Sequence, residues 1–77
     1  MKFEKLEIVV LTLDLPKHGL CAGDIGTVVE TYPDGGFEVE FVRGSGITQA
    51  LLTLTERDLR KVDSHDLLSA RHLAEVS

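Results

Sequence analysis

Seventy-seven residues allow one small domain. At 43% hydrophobic and 27% charged the composition is that of a folded chain, and no apolar run nears the ~20 residues of a membrane span. The single cysteine, Cys21, excludes an intramolecular disulfide or a multi-cysteine zinc site, and the net charge of −5 counts against nucleic acid as the main partner.

The opening stretch, MKFEKLEIVVLTLDL, is interrupted by Glu4, Glu7 and Asp14, with no small-residue cleavage site after it. A signal peptide is therefore not expected, and a cytoplasmic location is. Charge is uneven along the chain. Residues 1–42 hold three lysines against eight acidic residues, whereas residues 43–77 balance at five of each. All the excess negative charge lies in the first part of the fold.

Leu6–Leu13 is nearly continuous in apolar and β-branched character and predicts a well-buried strand. Asp14–Asp24, broken by Pro16 and Gly19, reads as a loop. Gly26–Tyr32 predicts a second strand, and Pro33-Asp34-Gly35-Gly36 a tight turn. Phe37–Val42 alternates strictly, with Phe37, Val39 and Phe41 on one face and Glu38 and Glu40 on the other. After the turn Arg43–Gly46, Ile47–Leu54 predicts a fourth strand; Thr55–Asp58 suits a 3₁₀ turn and Leu59–Val62 a short fifth strand. Short strands at such spacing predict an all-β fold, a small antiparallel barrel of about five strands over residues 1–62. Residues 63–77 change period: Ser64 as N-cap, Asp66 in the first turn and Leu67, Ala70, Leu73 at helical spacing predict a short C-terminal helical tail.

The segment Leu20-Cys21-Ala22-Gly23-Asp24-Ile25-Gly26-Thr27-Val28-Val29-Glu30, followed by Phe37-Glu38-Val39-Glu40-Phe41, resembles a small bacterial family known only as a domain of unknown function. Its first half also resembles the Gly-Asp-x-Gly-x-Val turn of SH3-like barrels, KOW-type modules among them. The resemblance spans roughly residues 5–62. It implies an SH3-like barrel without established catalytic residues. Genes of this type often stand near toxin-like genes, which adds an antitoxin or inhibitor role as an expectation.

Gly23, Asp24 and Gly26, like Gly35 and Gly36, read as structural turn residues; a phosphate loop would need a helix behind it, and here a strand follows. His65 and His72 stand seven apart without a third ligand, and His18 is remote in sequence, so no metal is expected. Cys21 reads as a small buried thiol, since His18 is the only base nearby in sequence and no Asn or Asp completes the set. No cofactor and no catalytic residue are expected.

Glu30, Glu38 and Glu40, with Tyr32 at the hairpin end, are the strongest functional signal. They form either a solvated face that keeps the sheet soluble or an acidic docking face for a basic protein. The second reading makes the chain a non-enzymatic regulatory or inhibitory protein-binding module, its tail adding the apolar anchors Leu67, Leu68 and Leu73. The alternatives are a KOW-like RNA- or ribosome-associated module using Arg43, Arg57 and Arg60, and an accessory subunit of a larger enzyme. RNA modules of this size carry stacking aromatics, scarce here. Self-association through the same surfaces is a further option; no membrane partner is expected.

Overall fold

The computed structural model describes residues 2–73. They form one five-stranded antiparallel sheet: β1 (Ile8–Leu11), β2 (Ile25–Thr31), β3 (Phe37–Val42), β4 (Thr48–Leu54) and β5 (Leu59–Lys61), in the spatial order β4-β3-β2-β1-β5. A 3₁₀ turn, Pro16–His18, lies in the β1–β2 loop, and another, Glu56–Asp58, sits between β4 and β5. The second is held by a capping box in which Asp58 accepts from the Thr55 backbone N–H and hydroxyl at 2.9 and 3.0 Å. No helix among the described residues is long and apolar enough to cross a membrane.

Alternation places Val9 and Leu11 of β1, Val28 of β2, Phe37, Val39 and Phe41 of β3, Leu54 and Leu59 in one core with Leu20 and Phe3. Phe3 lies ahead of β1 and is fully buried, its ring edge-on to Phe37 at 5.3 Å between centroids. The chain reaches the core there by a reversal at Leu6, whose φ of 72° puts a non-glycine residue in the left-handed region. That reversal also shortens β1 relative to the Leu6–Leu13 run. Gly26 is not a turn residue but lies within β2 opposite Val9. A Cβ there would stand 2.7 Å from Val39 Cγ1 and 2.9 Å from Phe41 Cε1, so glycine is required by close packing. Gly23 and Gly35, by contrast, do sit in turns, both with φ of 96°. Gly36 accompanies Gly35 and donates its N–H to Asp34 Oδ1 at 3.1 Å.

Two expectations need correction. The barrel is not closed: β5 has three residues, all paired to β1, and β4 pairs only with β3, so the sheet keeps two open edges. The tail is not helical over residues 63–73, and residues 74–77 lie outside those described. A single turn forms at Asp63–Asp66 instead. There the Asp63 N–H donates to Asp66 Oδ2 at 2.6 Å and the His65 N–H to Asp63 Oδ1 at 2.8 Å. Such side-chain acceptors compete with helix formation in a segment too short to be helical alone. Beyond the turn, two arginine forks tie the tail to the sheet end: Arg60 to Asp66 at 2.7 Å through both nitrogens, and Arg71 to Asp24 at 2.8 and 2.7 Å.

Candidate functional site

Pairing determines what the non-core face presents. Glu30 stands directly opposite Glu38, and Glu38 opposite Thr53; one step along, Thr27, Glu40 and Leu51 form a parallel row. A bulge at Val29 brings Glu30 into register with Glu38 after the Val28–Val39 core pair. The three carboxylates therefore share one face of β2–β3. Glu30 is exposed and Glu38 and Glu40 are half-buried. The carboxylates of β3 are held by hydroxyls of the next strand: Thr53 donates to Glu38 Oε1 at 2.6 Å and Thr48 to Glu40 Oε2 at 2.7 Å. Among the described residues, the one cation within 4 Å of the three is Lys5, 3.8 Å from Glu30, and both ends of that pair are well solvated.

Tyr32 ends the same hairpin, where its N–H donates to the Gly36 carbonyl at 2.9 Å. Its hydroxyl is pushed above the ordinary tyrosine value by partial desolvation and by the charges of Glu38, Glu30 and Asp34. The four hairpin residues singled out from the sequence thus come together.

The tail residues lie elsewhere on the same non-core face. Val10 faces away from the core, opposite Ile25 on one side and Arg60 on the other, and is only 3% exposed. Asp66, Leu67 and Leu68 line the crevice over these three. Leu67 and Leu68 are themselves 87% and 64% exposed, and Leu73 is half-buried.

The arginines of the nucleic-acid alternative are not brought together. Arg43 follows β3 and Arg57 follows β4, so the length of β4, about 20 Å, separates them. Arg43 donates to Gln49 Oε1 at 2.7 Å, and Arg60 is held by Asp66. Cys21 is exposed rather than buried, its N–H donating to Asp24 Oδ2 at 2.7 Å.

Asp24 does more than shape the turn. The Arg71 guanidinium and the Cys21 N–H hold its carboxyl below the usual range against partial burial. Asp66 is lowered to about 2 by Arg60 and the Asp63 N–H, and Glu7 is lowered chiefly by Lys61 at 2.7 Å. The Asp24–Arg71 and Glu7–Lys61 pairs, 47 and 54 residues apart, carry no sequence signal; only the register of β1 with β5 brings Glu7 and Lys61 together.

Fold and site define a small all-β domain with one acidic face and no cluster of three or more metal-ligating side chains among the described residues. The chain belongs to the DUF4926 family, a domain of unknown function, whose profile matches residues 5–61. The match covers both segments on which the resemblance to such a domain rested, Leu20–Glu30 and Phe37–Phe41. Searches for similar curated proteins and similar solved structures return no match.

Proposed function

We propose that the chain is a non-enzymatic protein-binding module that docks a basic partner on the face carrying Glu30, Glu38 and Glu40. The observation that carries this reading is the Glu30–Glu38 cross-strand pair. Like charges directly opposite each other weaken a sheet, so the arrangement works against folding and favours a ligand that neutralises it. A face needed only for solubility has no use for that juxtaposition. Occlusion of a basic groove, as a small inhibitory or antitoxin-like cytoplasmic partner would do, fits a face on which three carboxylates stand together. Leu67 and Leu68, exposed on the same side, supply apolar contacts at its far end.

The order β4-β3-β2-β1-β5, with a 3₁₀ turn before the last strand, supports an SH3-like fold for the module. The test is affinity capture from native-host lysate at low and moderate salt, wild type beside Glu38→Lys/Glu40→Lys. A stoichiometric basic protein held by the wild type, released by salt and absent from the folded variant, is the expected result. Equal capture by both proteins would remove the acidic face from the account.

A further inference from the structure

We propose that the open edge of β4 takes up an extended segment of the partner as a sixth strand, with basic side chains on the outer face and apolar ones on the inner. This rests on the acidic-face reading above and states how that face is engaged.

The two sheet edges differ. β5 is three residues long, and its Arg60 and Lys61 are both ion-paired. β4 is seven residues, Thr48–Leu54, without a charge, a proline or a glycine. Edge strands are normally blunted by such residues, because their outward N–H and C=O groups will pair with any extended chain. The β1–β2 loop is hydrogen-bonded to β4 at Gln49, whose Nε2 donates to the His18 carbonyl at 3.0 Å. From Ala50 to Leu54 no backbone hydrogen bond joins β4 to any described element but β3.

The two faces of that edge set the chemistry of the incoming strand. On the inner side Ala50 and Leu52 pack against the core while staying partly exposed, so apolar side chains beside them would complete the cover. On the outer side the Thr53 and Thr48 hydroxyls draw the Glu38 and Glu40 carboxylates toward the edge. An added strand would lie about 10 Å from β3, two strand spacings, within reach of a lysine or arginine leaning across β4. The outcome is strand addition, with main-chain bonds giving affinity and alternate side chains giving specificity. A second copy fits less well, since pairing β4 with β4 would set another row of Glu38 and Glu40 about 14 Å from the first.

The test uses the full chain and a labelled seven-residue peptide of alternating lysine and valine, beside the same peptide N-methylated at every amide. Binding is followed by fluorescence anisotropy at low salt. The unmodified peptide should bind, the N-methylated one at least about tenfold more weakly, because its charge is kept and its donors are gone. Equal binding of both peptides, lost in Glu38→Lys/Glu40→Lys, would overturn the added strand and leave the acidic face standing. Failure of both peptides to bind would overturn the added strand while the lysate capture still judged the face. Concentration-dependent dimerisation of the chain alone, abolished by Leu51→Lys, would assign the edge to a second copy and overturn the proposal.

Discussion

The two ends of the sheet handle charge in opposite ways. At the β1–β5 end Asp24, Asp66 and Glu7 each face a cation at 2.7 Å, and two of those pairs tie the tail down. At the β2–β3 end Glu30 and Glu38 face each other, and the nearest cation stands at 3.8 Å. Carboxylates at the first end are committed to the fold. Of those at the second, Glu38 and Glu40 accept from threonine hydroxyls and Glu30 from the Thr31 N–H, and among the described residues none meets a cation closer than 3.8 Å. The net charge of −5 thus has a location, and the location is what suggests a partner.

The largest effect should come from the residue that joins the two ends. Phe3 meets Phe37 of the hairpin edge-on, and Lys61 of β5 lies 5.6 Å from its ring centre. Phe3→Ala is expected to cost about 3–5 kcal/mol, read by urea unfolding; a cost near zero would mean the reversal at Leu6 is not part of the core.

Truncation after Val62 should leave a folded sheet that has lost about 1–3 kcal/mol, because Val10 and Ile25 lose their neighbours. Acid should act on the same end. Asp24 and Asp66 have lowered pKa values in the fold, so their contribution is complete above the ordinary carboxylate value of 3.8 and disappears as pH falls, for Asp66 through about 2. Chemical shifts around the Arg60–Asp66 fork should therefore hold through pH 3.8 and change only as pH approaches about 2, and a change completed by 3.8 would show that the fork does not hold the tail.

The hairpin end should respond to base instead. Tyr32 should titrate above its ordinary value of 10.0, so its contribution is full below that pH and fades above it. Ultraviolet titration of Glu38→Gln should bring the transition back toward the ordinary value. A further change at the N-terminal reversal is Leu6→Gly, which relieves the left-handed backbone and should stabilise by less than about 2 kcal/mol, read by urea unfolding.

The strands were legible because their signals are local: FEVEFV alternates, and Pro33–Gly36 dictates the turn between β2 and β3. The hairpin carboxylates could be placed on one face for the same reason. What lay beyond reach depended on contacts distant in sequence. Phe3 precedes the periodic run, and nothing local shows that the chain turns back at Leu6. The tail has a helical pattern, yet Arg60–Asp66 and Arg71–Asp24 depend on the positions of β5 and the Gly23–Asp24 turn. Gly26 reads as a turn residue until Val39 and Phe41 are seen against it. Cys21 looks like a buried small residue until its loop is seen to run on the surface.

Urea unfolding at neutral pH of two conservative variants, Glu38→Gln and Asp24→Asn, tests the contrast most directly. Asp24→Asn removes half of an arginine fork and weakens the acceptor of the Cys21 N–H, and should destabilise by about 1.5–3 kcal/mol. Glu38→Gln relieves a like-charge pair and should leave stability unchanged or raise it by a few tenths of a kcal/mol. A loss in Glu38→Gln as large as that in Asp24→Asn would contradict the account, because the hairpin carboxylates would then belong to the fold and not to a partner.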